Sequence, residues 1–392
     1  MSGTLLIAAG PGEWRAAWIA EGVAVELYVE RGDSPPAGSI HLGRVLRRTP
    51  GLDAVFVDIG AGRPGFMPLR NAPPDLRLDE GARIIVQLRR EAQQSKGARL
   101  SARINRLPGG ADAQQLAASA ARFEPPRQLD PPRSFAASLA LRLPASPEQV
   151  LTDDAAIIPE LQRAFPIAEL ANRAAEDWPI DVDAEFATAS APSVPLSGGG
   201  AIHIAETAAA VLIDVDTGKP EEGSAKRGAV AANLEAAQAI ARQIRLRHLG
   251  GGIVVDFVGL EGRGARERLR QAVAAALAGD PAGPLVLGWT RLGHLEIVRP
   301  RCDRPLSETL LEPGGMRKNS LTLAFEALQL LRREARANPA ANWRLIVGAD
   351  VASALRGPAA AGLRALEKRL GREIAIELGP AHEHAAFEIV PR

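Results

Sequence analysis

The clearest change of hydrophobic period in the chain lies between Ala201 and Val258. The run AIHIAETAAAVLIDVDTG is apolar and strand-like and ends on Asp214 and Asp216. In the following AVAANLEAAQAIARQIRLRHLGG, Leu234, Ala237, Ala241 and Ile244 recur at helical spacing. IVVDFVGL is then a second buried-strand run and carries Asp256. Strand, helix and strand of these lengths predict a βαβ unit, with Gly250, Gly251 and Gly252 ending the helix. Asp214 and Asp216 are two apart, so both leave one face of an extended chain. With the two strands as parallel neighbours, Asp256 reaches the same end of the sheet, where open α/β sheets place ligands.

Other periods surround this unit. Near the start, TLLIAA reads as a strand, and WRAAWIAEGVAVELYVER alternates around Glu21-Gly22 as a hairpin. From about Ser39 to Arg106, SIHLGRVLRRTP, GLDAVFVDIG, GRPGFMPL and ARIIVQLRR are short strands punctuated by Gly and Pro, the pattern of a small barrel. Residues 107–194 are rich in Ala, Arg and Pro, with helical pieces broken by prolines. Beyond Asp256, RGARERLRQAVAAALAGD predicts a helix and PLVLGWTRLGHLEIVRPR two strands. The last segment reads as a further small α/β unit: helix LTLAFEALQLLRREA, strand WRLIVGAD, helix LRALEKRL, and strands REIAIELG and AAFEIV.

Charge and cysteine content narrow this picture. Lys and Arg number 47 against 46 Asp and Glu, a formal net charge of +1. Any surface for a polyanion must therefore be local. The barrel region is locally basic, with Arg44, Arg47, Arg48, Arg63, Arg83, Arg89 and Arg90 around Phe56 and Phe66. Aromatic residues of this kind serve equally as core or as a platform on which single-stranded bases stack. One cysteine excludes an internal disulfide framework, and no run of transmembrane length or signal pattern appears. The composition is that of an intracellular, cytoplasmic α/β protein with no membrane partner. The three Asp residues admit two readings. Gathered carboxylates suit Mg²⁺, which keeps several waters and is completed by phosphates; Asp216-Thr217-Gly218 equally suits a polar turn, with Asp256 a strand-end residue.

IDVDTG, NLEAA, ARQIRLRHLGG, IVVDF and LGHLEIVR resemble the core of the ribonuclease E/G family of endoribonucleases. The resemblance implies a multidomain α/β architecture. An RNase H-like subdomain (1–36 and 147–194) is interrupted by an S1, or OB-fold, barrel (37–107) and a reduced 5′-sensor-like region (108–146). A DNase I-like catalytic subdomain (195–312) and a small C-terminal domain (313–392) follow. The family's metal-holding acids fall on Asp214 and Asp256. Asp216 stands where the family has Asn, and it joins them as the third catalytic candidate. SKGARLSARI is similar to the family's TKGARLT motif, which assigns phosphate contacts to Lys96 and Arg99. Phe56 and Phe66 occupy phrases in which the family's S1 domain stacks RNA. Arg242, Arg245 and Arg247 are further candidates for phosphate.

The implied activity is Mg²⁺-dependent cleavage of single-stranded RNA by metal-assisted attack of water, leaving a 5′-phosphate and a 3′-hydroxyl. The alternative is a non-catalytic S1-containing RNA-binding protein. The family's Arg-Thr sensor phrase is absent from 107–194, and its Cys-x-x-Cys zinc link is replaced by RPRCDRPLSETLLEPGGMRKNS. A homodimer stays open and a zinc-linked tetramer is not expected. Cys302 is expected to be a buried small residue. His248 and His294 are expected to be structural.

Overall fold

The computed structural model describes residues 3–31, 38–91, 97–104, 113–130, 133–218, 225–260, 262–315, 317–379 and 387–391. The chain forms two units: Gly32–Ser138, and a discontinuous one made of Met1–Arg31 with Leu139–Arg392. The discontinuous unit starts with β1 (Thr4–Ala9), β2 (Glu13–Ala20) and β3 (Val23–Arg31). The β2–β3 turn falls at Glu21-Gly22, both at positive φ (52° and 80°), the geometry whose twist suits a two-residue hairpin. The expected apolar–polar alternation fails on β2, where every residue is buried. Both faces of this sheet are covered, so Glu13 and Arg15 survive inside only by pairing. Arg15 Nε lies 2.8 Å from Glu13, and Arg15 Nη1 3.1 Å from Glu326.

The inserted unit holds β4 (Ile40–Thr49), β5 (Ala54–Asp58), β6 (Gly65–Pro68), β7 (Arg83–Arg90), β8 (Arg99–Ser101), α1 (Ala113–Arg122) and β9 (Arg127–Gln128). Its strands run in the order β5-β6-β8-β7-β4, and β4 also pairs with β5, which closes a five-stranded barrel. The closure is compatible with an S1 OB-fold. Val45, Val55, Val57, Met67, Val86, Leu88 and Leu100 fill the interior. Short β9 pairs with β4 at His41 and Leu42. Residues 113–130, read from sequence as part of a separate region, thus belong to the barrel's unit.

The chain then passes through α2 (Phe135–Ala140), β10 (Gln149–Thr152), α3 (Ile158–Ala164), β11 (Glu169–Asn172) and α4 (Val182–Ser190). The sheet order is β11-β10-β1-β2-β3, with β10 parallel to β1 and β11. Strands from before and after the insertion therefore share one sheet.

Next come β12 (Ser193–Pro195), β13 (Ala201–Glu206), β14 (Val211–Asp216), α5 (Ala225–Leu246), β15 (Gly251–Asp256), α6 (Arg263–Leu277), β16 (Leu285–Trp289) and β17 (Leu295–Arg299). They form a six-stranded sheet, β12-β13-β14-β15-β17-β16, in which β14 and β15 are parallel with α5 between them. The βαβ unit is present, with three corrections. The run from Ala201 is two antiparallel strands, because Thr207 turns the chain by accepting the backbone N–H of Ala209 and Ala210 on its hydroxyl (3.3 and 3.1 Å). Leu234 is 44 % exposed, whereas Ala237, Ala241 and Ile244 are buried against the sheet. The helix also stops before the glycines: His248 takes the left-handed conformation (φ 56°), its Nε2 held 2.6 Å from the carbonyl of Leu27.

The C-terminal segment comprises α7 (Leu306–Leu310), α8 (Ser320–Ala337), β18 (Trp343–Val347), α9 (Ala349–Arg356), α10 (Ala360–Leu370), β19 (Ala375–Leu378) and β20 (Phe387–Pro391). Its three-stranded sheet, β19-β18-β20, packs with α8, α9 and α10 in one core. Helix α9 escaped the sequence reading. Among the described residues no helix is long and apolar enough to cross a membrane.

Candidate functional site

Helices α5 and α6 cover one face of the six-stranded sheet. Ile202, Ile213, Val215, Ile253, Val255 and Ile297 point into that core with Ile240, Ile244, Leu269 and Val273. The alternate positions leave the opposite, open face. There His203, Asp214, Asp216, Asp256 and Glu296 are exposed. Register lines several of them up. Asp214 of β14 pairs across to His203 of β13 and to Asp256 of β15. Val255 pairs with Leu295, so His294 stands beside Asp256, with Nε2 3.6 Å from its Oδ2. His203, Asp214, Asp256 and His294 thus form one row across four neighbouring chain segments.

Helix α5 sets the acidic end of this face. Asn233 is buried and clamps the chain just past Asp256: its Nδ2 donates to the carbonyl of Val258 (2.7 Å), and its Oδ1 accepts from the N–H of Val258 (3.1 Å). Glu235 accepts from Ser197 Oγ (2.7 Å) and from the N–H of Gly198 (3.1 Å), pinning the glycine loop that enters β13. The Ser197 hydrogen bond holds the Glu235 carboxyl below its ordinary range. That loop abuts the end of β14 backbone to backbone. A Cβ on Gly200 (φ 86°) would lie 2.2 Å from the carbonyl oxygen of Asp216, so only glycine fits. Asp216 Oδ1 accepts from the N–H of Gly218 (2.9 Å), the polar turn foreseen for this tripeptide. Sequence reading gave Asn233 no role; its signal was a polar residue on the apolar side of α5.

Among the described residues no group of three or more His, Cys, Asp or Glu stands close enough to hold a metal ion. Asp214 and Asp256 offer two carboxylates side by side, and neither forms an ion pair with Lys or Arg among the described residues. Such a donor set suits only a hard cation that keeps most of its water and takes further oxygens from a phosphate, the binding mode of Mg²⁺.

The arginines of α5 go elsewhere. Arg242 Nε donates to the carbonyl of Ala24 (3.0 Å) and its Nη2 to Glu185 (2.7 Å). Arg245 is partly buried and pairs with the buried Glu26, with Nη1 donating to the carbonyl of Gly279 (3.1 Å). Arg247 donates to the carbonyls of Ala191 and Thr188 (2.8 and 3.1 Å), and burial pulls its pKa down to about 10. The phosphate role expected of Arg242 and Arg245 is therefore corrected. Their guanidiniums are consumed in tying α5 to β3 and α4, because a cation drawn largely out of water keeps a partner. His248 is structural, as expected, and Cys302 is exposed rather than buried.

The barrel carries a second row. Register pairs Arg47 with Phe56, Phe56 with Phe66, Phe66 with Arg99, and Arg99 with Arg90, across all five strands. The two phenylalanines are half-buried, while Val55, Val57 and Met67 beside them fill the core. Phe56 and Phe66 meet edge to face, centroids 5.7 Å apart. Arg47 lies 4.7 Å over the Phe56 ring and Arg99 5.4 Å over the Phe66 ring. Arg44 and Arg83 are drawn to Glu124 (3.4 and 3.3 Å). Lys96 lies outside the described residues.

Known proteins share this organisation in sequence. The model of the Ribonuclease E/G family matches residues 136–302, which include both acid-bearing strands and α5. Ribonuclease G of Escherichia coli K12 is 24 % identical over 487 positions, covering all of both chains. Those positions outnumber this chain's 392 residues, so the relative carries segments that this chain lacks. Ribonuclease G of Haemophilus influenzae is 25 % identical over 84 % of this chain and 87 % of its own. Ribonuclease E of Escherichia coli K12 is 27 % identical over 86 % of this chain but 41 % of its own length. The chain is thus similar to the ribonuclease E/G family across its acid-bearing sheet and to members of that family along most of its length.

Proposed function

We propose that this chain, an endoribonuclease by its family, cleaves single-stranded RNA with the help of Mg²⁺ held by Asp214 and Asp256 on the open sheet face. The observation that carries the reading is their pairing in register on two parallel strands, exposed and without a Lys or Arg partner among the described residues. Two carboxylates so placed repel a phosphodiester until a cation joins them. When bound, Mg²⁺ supplies Lewis acidity toward the scissile phosphate and acidifies a water. Asp214 and Asp256 hold it from adjacent strands. Asp216 shapes the turn that ends β14, and Asn233 keeps the chain beyond Asp256 in place. Hydrolysis then leaves a 5′-phosphate and a 3′-hydroxyl.

The barrel would hold the same class of ligand. Phe56 and Phe66 offer ring faces for unpaired bases, and Arg47 and Arg99 offer charge beside them for phosphates. Lys96 joins them as a sequence-based proposal. In this reading the interrupted five-stranded sheet is RNase H-like, the barrel is an S1 domain, and the six-stranded sheet is DNase I-like.

The test is cleavage of a labelled, A/U-rich single-stranded RNA with Mg²⁺ or with EDTA, comparing wild type with Asp214→Asn. Mg²⁺-dependent cutting that the substitution abolishes, with RNA binding retained, is expected. Cutting by Asp214→Asn at the wild-type rate overturns the assignment. RNA binding without cutting in both proteins favours a binding-only role.

A further inference from the structure

Two histidines bracket the acid pair, and neither has yet been given work. His203 precedes Asp214 in the row and His294 follows Asp256. We propose that these imidazoles hold the phosphates on either side of the one that is cut, so that the RNA backbone runs across the strands along this row. The inference rests on the reading that Asp214 and Asp256 form the cleavage centre.

Three observations carry it. The first is spacing. Neighbouring strands lie ~4.8 Å apart, so each imidazole's strand position is about 7 Å from the midpoint of the acid pair. That matches one nucleotide step of an extended backbone on each side. The second is charge. The outward residues around the row include Asp214, Asp216, Asp256 and Glu296, and a polyanion crossing such a face needs hydrogen-bond donors between carboxylates. A neutral imidazole still carries one N–H, so the two histidines can donate without being protonated. The third is availability. His203 is exposed, and its ring makes no hydrogen bond among the described residues. His294 is partly exposed, and its Nε2 stands 3.6 Å from Asp256, beyond hydrogen-bond reach, so its donor is not spent there. By contrast, His248 is buried and bonded to a carbonyl, as a structural imidazole should be.

The experiment pairs substitutions with neutralised phosphates. Short single-stranded RNAs carrying one methylphosphonate, on the 5′ or the 3′ side of the cut, are cleaved by wild type, His203→Leu, His294→Leu and the matching Gln variants. Each neutral linkage should lower wild-type kcat/KM roughly tenfold, the loss expected for one hydrogen bond to a charged group. Each Leu variant should lose about as much on unmodified RNA and then be indifferent to one of the two modified linkages, a different one for each histidine. Gln, which keeps an N–H donor, should recover part of the loss. Mn²⁺ affinity, followed by electron paramagnetic resonance on the protein alone, should be unchanged in the Leu variants.

Losses that simply add, with both variants equally sensitive to both linkages, overturn the proposal. So does a fall in Mn²⁺ affinity, which would make the histidines servants of the carboxylates. Asp214→Asn in the same series separates the two levels. If it still cleaves, the cleavage centre itself is misassigned; if it is dead while the histidine losses add, only the phosphate grip fails.

Discussion

The barrel and the six-stranded sheet each present one row of side chains across neighbouring strands, but the two rows are completed differently. On the barrel, Arg47, Phe56, Phe66 and Arg99 satisfy one another, cation over ring and ring edge against ring face. That surface is preorganised, and it leaves π faces and positive charge to offer. On the sheet, Asp214 and Asp256 are neighbours of like charge, and no Lys or Arg pairs with either among the described residues. That row leaves two like charges unneutralised by any Lys or Arg of the described residues. The contrast teaches that one device, cross-strand register, mates opposites on one surface and sets like charges side by side on the other.

The comparison breaks most visibly through Asp256→Asn. Cleavage should fall on the order of 10³-fold or more, since the proposed metal site loses a charge, while RNA affinity in a filter-binding assay stays near wild type. Equal losses in both would merge the two rows into one. Arg245→Ala should act on neither. It leaves Glu26 buried without its cation, so about 3–5 kcal/mol of stability should disappear in denaturant unfolding. The salt dependence of RNA binding should keep its slope; a drop of about one in that slope would return Arg245 to the phosphate-binding set.

Phe56→Ala should do the reverse of Asp256→Asn. RNA affinity should weaken by about 1–3 kcal/mol, with kcat at saturating RNA unchanged. An effect on kcat alone would place Phe56 in catalysis.

The smallest effect separates stability from both rows. Burial holds the His248 imidazole below its ordinary 6.5, outweighing the opposite pull of Asp303. As pH falls through about 6.5 the unfolded chain takes up a proton that the folded chain refuses, so stability is full above that pH and declines below it. The slope is at most about 1.4 kcal/mol per pH unit. His248→Asn, which tolerates the left-handed backbone, should flatten the decline in thermal unfolding between pH 7 and 5.

Much of the site was legible because it depends on local period. The two-residue spacing put Asp214 and Asp216 on one face, and the strand–helix–strand pattern put Asp256 at the same sheet end. Phe56 and Phe66 were ambiguous in sequence, since a half-buried aromatic and a core one share the same flanking pattern; the barrel interior, filled by Val55, Val57 and Met67, decided for the outside. Arg242 and Arg245 misled because a basic run on a helix looks the same whether it meets solvent or glutamates of other elements. Only Glu26 and Glu185, distant in sequence, reveal their use. Asn233 was missed for a like reason: its partner is a backbone peptide at Val258.

By itself, the sequence determined the βαβ unit, the β2–β3 hairpin and the strands of a small barrel, and it named the acids and aromatics that line the two rows. Those follow from periodicity, turn chemistry and side-chain type, which act over a few residues. Tertiary structure alone decided which arginines were consumed in the interior, which turn ended α5, and that His203 and His294 stand in line with the acids. Those outcomes depend on strand register and on burial, where residues up to 91 positions apart, His203 and His294, are brought into one row.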